Sequence, residues 1–159
     1  MHQARIPLIA FIVVAILGTT LARADQDDIL VRDAWIREAP PNASVLAGYL
    51  TLVNPGNDPR RLTGVESGQF DSVEMHRTIH EDGMAKMAPQ PYLDIPPGGT
   101  VELLPGGYHL MLMMPSRRFV EGDVVSLDLI FQGGGRMTVP FEVRKSESGG
   151  GEHQHHQHH

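Results

Sequence analysis

From Leu30 onward, apolar residues recur at every second position in short runs separated by Gly, Pro, Asn and Asp. A two-residue period is that of strands with one buried face. Leu30 to Arg37 is read as a first strand and Ala47 to Val53 as a second, in which Tyr49, Leu50, Leu52 and Val53 fill both faces. Asn54-Pro55-Gly56-Asn57 is a turn by composition, and Arg61 to Glu66 is a short, edge-like strand. Ser72 to His80 sets Val73, Met75 and Ile79 on one side and Glu74, His76, Thr78 and His80 on the other. Glu81-Asp82-Gly83 then predicts a hairpin into Met84 to Met87.

Pro96-Pro97-Gly98-Gly99 and Pro105-Gly106-Gly107 bracket a strand at Thr100 to Leu104, and Tyr108 to Met114 follows. There Leu110, Leu112 and Met114 share the core parity, while His109, Met111 and Met113 fall on the polar, solvent-facing side. Val125, Leu127, Leu129 and Phe131 mark one face of the next strand, and Met137, Val139, Phe141 and Val143 the inner face of the last. Pro140 predicts that this last strand is at an edge or bulged. No segment sustains a helical period. Many short strands at regular spacing imply an all-β, Greek-key sandwich or barrel.

The ends depart from this pattern. A short basic start, an apolar run from Ile6 to Leu17 and the small-x-small site Ala22-Arg23-Ala24 predict a signal peptide over residues 1–24. The folded domain is expected over 25–144. From Lys145 to His159 the chain is Ser, Gly, Glu, Gln and His, a composition that predicts a disordered His-rich tail. Thirteen Lys and Arg against 19 Asp and Glu give a formal charge of −6; Arg5 and Arg23 lie in the leader, so the mature domain carries −8. An acidic exported domain argues against nucleic acid or anionic lipid as partners, and no membrane insertion is expected once the leader is cleaved. The absence of cysteine excludes disulfides, thiolate nucleophiles, thiolate metal ligands and a cysteine-linked lipid anchor.

Histidine and methionine are concentrated. Met75, Met84, Met87, Met111, Met113 and Met114 fall in one window with His76, His80 and His109. Core filling is the usual role of methionine, and it suits Met75, Met114 and Met137 by parity. It suits Met111 poorly, because Leu110 and Leu112 already supply the core face. His109 and Met111, two apart on a strand, leave the same face about 6.5 Å apart at the backbone. His76 also points away from the core side of its own strand, and Met87 sits just past the following hairpin. If these strands are neighbours, two imidazoles and two thioethers can meet. Thioethers favour Cu(I) over zinc, magnesium or calcium, and without a thiolate a blue-copper electron-transfer site is excluded.

The spacing is His76, ten residues, Met87, twenty-one residues, His109, one residue, Met111. Together with "DAWIREAPPNAS", "AGYLTLVN", "VEMHRTIHEDGMAKM" and "LLPGGYHLMLM", it resembles the periplasmic CuA copper chaperone family, PCuAC, over about residues 28–144. The resemblance implies a cupredoxin-like β-sandwich with His76, Met87, His109 and Met111 as Cu(I) ligands near the surface. It also implies a periplasmic metal carrier, not an enzyme, that delivers copper to the CuA centre of cytochrome c oxidase subunit II, often alongside a Sco-type protein. The tail histidines His153, His155, His156, His158 and His159 would form a secondary copper site, Cu(II) being one candidate; imidazoles on a flexible chain bind Cu(II), Ni(II) or Zn(II) with little selectivity.

Two other readings remain open on the residues alone. One is a copper buffer or resistance protein with no dedicated client. The other is a copper enzyme using a harder set of His76, His80, His109 and Glu74. Whether Met84 or Met113 takes the place of Met87 or Met111 is also open.

Overall fold

The computed structural model describes residues 28–145. The expected leader, 1–24, and the tail histidines lie outside the described residues. Ten strands follow one another with turns between: β1 (Leu30–Arg37), β2 (Val45–Val53), β3 (Arg60–Glu66), β4 (Phe70–Glu81), β5 (Met84–Pro89), β6 (Leu93–Ile95), β7 (Thr100–Leu103), β8 (Tyr108–Pro115), β9 (Val124–Phe131) and β10 (Arg136–Arg144). The described part is all-β, as the two-residue period predicts. Among the described residues no helix is long and apolar enough to cross a membrane.

The strands form one ten-stranded sheet in the order β5-β4-β8-β7-β2-β1-β10-β9-β3-β6, with further pairings β4–β3 and β8–β2. The Val65↔Val73 pair between β3 and β4 joins the two ends, so the sheet closes on itself. Most pairings are antiparallel. The exceptions are β1 beside β10, with Trp35↔Glu142 and Arg37↔Arg144, and a short contact of β7 with β8. Inside lie the residues whose alternation marked the strands: Leu50, Leu52, Leu62, Leu110, Leu112, Leu127, Leu129 and Phe141 are almost wholly buried. Their removal from water is the main favourable term in folding.

Three expectations are corrected. The strand Arg60–Glu66 is not an edge, because it runs between β9 and β6. The strand carrying Pro140 is not an edge either; it pairs with β9 throughout but with β1 only from Glu142 onward, so Pro140 sits where one side is unpaired. Met114 is not in the core. It has φ of 49° and is 56% exposed, with its N–H donating to Ser44 O at 2.7 Å. A left-handed residue at the strand end breaks the alternation that the sequence carries up to Leu112. The short strand β6 has no counterpart in the sequence reading.

The expected hairpin is present. Glu81 pairs with Met84, and Asp82 and Gly83 between them have φ of 53° and 75°. Two central residues with positive φ are the requirement of the type I′ turn, whose twist matches that of the flanking strands.

Candidate metal centre

The register of the sheet brings the candidate ligands together. β4 and β8 are antiparallel neighbours in which His76 stands opposite His109, and Glu74 opposite Met111. Residues directly opposite share a face, as do residues two apart on a strand. His76, His109, Met111 and Glu74 therefore lie on one face of two adjacent strands. The two rings are 6.1 Å apart between centroids and tilted by 37°.

At the histidine row this face is buried, contrary to the solvent-facing side expected from the sequence. His76 is 8% and His109 5% exposed, so both faces of β4 and β8 are covered at this row. Neighbouring Tyr49 on β2 is also buried, its ring 4.6 Å from that of Trp35 between centroids and tilted by 37°. Burial pushes the Tyr49 hydroxyl above its ordinary pKa, with Arg37 partly opposing the shift.

Each histidine has one engaged nitrogen and one free. His76 Nε2 lies 2.8 Å from Glu74 Oε2, while His76 Nδ1 is buried with no hydrogen-bond partner. His109 Nδ1 lies 3.1 Å from the carbonyl of Gly107, while His109 Nε2 is buried with no partner. Buried polar atoms are almost always satisfied, so two orphaned nitrogens on facing rings call for a ligand. A metal-binding histidine characteristically has its other ring N–H held by a carboxylate or a backbone carbonyl. Both arrangements are present here.

The Gly107 carbonyl is placed by sequence. Leu104-Pro105-Gly106-Gly107 closes with Gly107 N–H donating to Leu104 O at 2.9 Å, and Gly106 has φ of 83°. Proline at the second position and a positive-φ glycine at the third are what a type II turn needs. The turn leaves Gly107 O to accept from both the Thr78 N–H, at 3.0 Å, and His109.

The thioethers flank the histidine pair. Met111 is two residues along β8 from His109 and is partly buried. Met87, on β5, pairs with Thr78 of β4, two residues from His76, which places it on the same face as a diagonal neighbour of that histidine. Diagonal neighbours stand about 7–8 Å apart, within reach of a methionine side chain. Met87 is 61% exposed, so it projects into solvent. Met113 is two residues beyond Met111, opposite Ser72, and Met84 lies at the hairpin turn opposite Glu81. Both are further from the histidine row than Met111 and Met87. His80 is exposed and four residues along β4 from His76, so the harder set of three histidines and Glu74 is not assembled. Among the described residues no three His, Cys, Asp or Glu side chains come together to hold a metal ion.

The donors available at this row are thus two neutral-capable imidazoles and two thioethers. That set suits a soft monovalent ion; the one carboxylate beside it, Glu74, is engaged with His76 and leaves a hard divalent cation short of oxygen ligands. The sequence reading considered Glu74 only as a direct ligand and did not consider the Gly107 carbonyl. The two-residue spacing of Glu74 and His76 on a strand was the available signal for the contact.

A family model described as "Putative lipoprotein LpqE-like" matches residues 29–143. The curated protein "Putative lipoprotein Lxx21020" of Leifsonia xyli subsp. xyli is 30% identical over 119 residues, covering 74% of this chain and 70% of the relative. Among solved structures, the copper-bound PCuAC domain from PmoF2 is 26% identical with a TM-score of 0.62, covering 74% of this chain and 93% of that domain. The Cu(I)-bound solution structure of DR1885 from Deinococcus radiodurans is 33% identical with a TM-score of 0.60, covering 72% of this chain and 76% of that protein. The chain belongs to the LpqE-like family, which is the PCuAC family.

Proposed function

We propose that this protein is an exported, periplasmic copper chaperone that holds Cu(I) between His76, Met87, His109 and Met111. The observation that carries the reading is the pair of buried, unpartnered ring nitrogens on directly opposed histidines, with a thioether diagonal to or beside each. Copper in two related solved structures supports the choice of metal. The soft donors favour Cu(I), and thioethers, unlike thiols, form no disulfides in an oxidising compartment. On this reading the closed sheet is a cupredoxin-like Greek-key sandwich whose β4–β8 row carries the ion.

The client is the CuA centre of cytochrome c oxidase subunit II, with a Sco-type protein as a second partner. The protein binds and transfers; it does not turn over a substrate. Transfer proceeds by ligand exchange, and the exposed Met87 is the donor that an incoming partner ligand displaces first. His153, His155, His156, His158 and His159 take a second copper ion, as Cu(II), because clustered imidazoles suit the harder ion.

Anaerobic titration against a chromophoric Cu(I) chelator tests the site. One tight equivalent is expected in protein lacking the tail, with X-ray absorption reporting sulfur and nitrogen in equal number. Unchanged affinity in both His109→Ala and Met111→Ala would refute the ligand set. A deletion strain tests delivery: oxidase activity should be low and restored by added copper. Copper sensitivity with normal oxidase would instead identify a buffer without a client.

A further inference from the structure

One carboxylate touches the histidine pair without belonging to the four-donor set. Glu74 lies two residues before His76 on β4, and its Oε2 is 2.8 Å from His76 Nε2. The Glu74 side chain is 50% exposed, whereas that of His76 is only 10% exposed. A carboxylate can only accept, so this contact places the ring proton on Nε2 of His76. The lone pair is then on Nδ1, the atom that is buried and unpartnered. His109 is arranged in the opposite sense. The Gly107 carbonyl can only accept, which places the proton of His109 on Nδ1 and the lone pair on the orphaned Nε2. The two facing rings thus leave different nitrogens unengaged.

We infer that Glu74 is a positioning residue for copper: it holds the proton on His76 Nε2, so that Cu(I) is bound through Nδ1 of His76 and Nε2 of His109. The inference rests on the Cu(I) reading above. It gives that site a preset polarity before any metal arrives, because both tautomers are fixed by groups that do not themselves bind the ion. A carboxylate behind a ligating imidazole also raises its basicity, and removing such a group commonly lowers metal affinity about 10–100-fold.

Long-range proton–nitrogen NMR of the metal-free protein reads the tautomers directly. His76 should carry its proton on Nε2 and His109 on Nδ1. Glu74→Ala should abolish the Nε2–H preference of His76, leave His109 unchanged, and weaken Cu(I) binding about 10–100-fold. Glu74→Gln keeps an acceptor oxygen but not the charge; it should keep the Nε2–H tautomer and bind Cu(I) more tightly than Glu74→Ala. The inference is overturned if metal-free His76 is protonated on Nδ1, if Glu74→Ala binds Cu(I) as the wild type does, or if Gln and Ala variants lose affinity alike. His109→Ala separates the two levels. If it too leaves affinity unchanged, the Cu(I) site itself is wrong; if it abolishes binding while Glu74→Ala does not, only the role of Glu74 falls.

Discussion

Replacing His109 by leucine should remove copper binding while leaving the metal-free protein about as stable as before or more stable. His109 is 5% exposed and its Nε2 has no partner. An unsatisfied buried polar atom costs about 1–3 kcal/mol, which the metal-free fold bears for the sake of the site. Leucine removes that cost. It also removes the Nδ1 contact to Gly107, a loss of about 0.5–1.5 kcal/mol. The Gly107 carbonyl is not orphaned, because the Thr78 N–H still donates to it at 3.0 Å. The difference lies between about −0.5 and +2.5 kcal/mol in favour of His109→Leu. At about 3–6 °C per kcal/mol for a domain of this size, Tm should fall by no more than about 3 °C and rise by up to about 15 °C.

Urea unfolding of the metal-free proteins, with unchanged m-values, gives the comparison. The same samples with Cu(I) complete it. At free Cu(I) a thousandfold above Kd, the wild type should gain about 4 kcal/mol and the variant nothing. The neighbouring Leu110→Ala is the contrast, since emptying that fully buried position should cost about 2–5 kcal/mol. If His109→Leu destabilised the metal-free protein by more than about 2 kcal/mol, the ring would be a satisfied structural element and the reasoning from its orphaned nitrogen would fail.

Other outcomes follow from the same geometry. Met87→Ala should leave metal-free stability within about 0.5 kcal/mol, because the side chain is 61% exposed, yet speed Cu(I) loss to a chelator in stopped-flow. Gly106→Ala should cost about 1–2 kcal/mol in denaturant unfolding from its φ of 83° alone, since an added Cβ meets no atom within 4 Å. Asp128 accepts from the Thr138 hydroxyl and from Arg136, which hold its carboxyl below the ordinary value of 3.8. A depressed folded pKa contributes stability above the ordinary value and loses it as pH falls through the folded one. Carboxyl NMR should show Asp128 titrating below 3.8, and Asp128→Asn should flatten the acid limb of stability against pH.

Nine of the ten strands were legible, most of them from the alternation that burying one face against a single core produces; β5, exposed at every residue but Ala88, was legible only from the Glu81-Asp82-Gly83 turn before it. The short strand Leu93–Ile95 escaped because three residues do not establish a period. Met114 fits the alternation by position, but its left-handed backbone turns it to solvent, which residue parity does not encode. The ligand spacing was legible for a different reason. His109 and Met111 are joined by a local two-residue relation, whereas His76↔His109 depends on a long-range register that only the folded sheet displays. Burial of the histidines was misread on similar grounds. A polar residue on the outer face of a strand is expected in water, and what covers it comes from elsewhere in the chain.

The proposed donors differ in exposure, and the difference bears on transfer. The histidines are buried, with one ring nitrogen of each in contact with Glu74 or the Gly107 carbonyl. On the tautomers inferred above, their lone pairs are aimed before the ion binds, and little ordering is left to oppose binding. Met111 is partly buried beside them. Met87 stands 61% exposed on the β4–β5 hairpin, away from the closed part of the sheet. A site with all four donors buried would hold copper but give a partner no point of entry. A site with all four exposed would admit any competing thiol or imidazole. On the proposed ligand set, one solvent-facing thioether beside two buried imidazoles would let an incoming ligand displace a single weak donor while the ion stays anchored. The histidine variants should therefore change how much copper is bound, and the Met87 variant chiefly how fast it leaves.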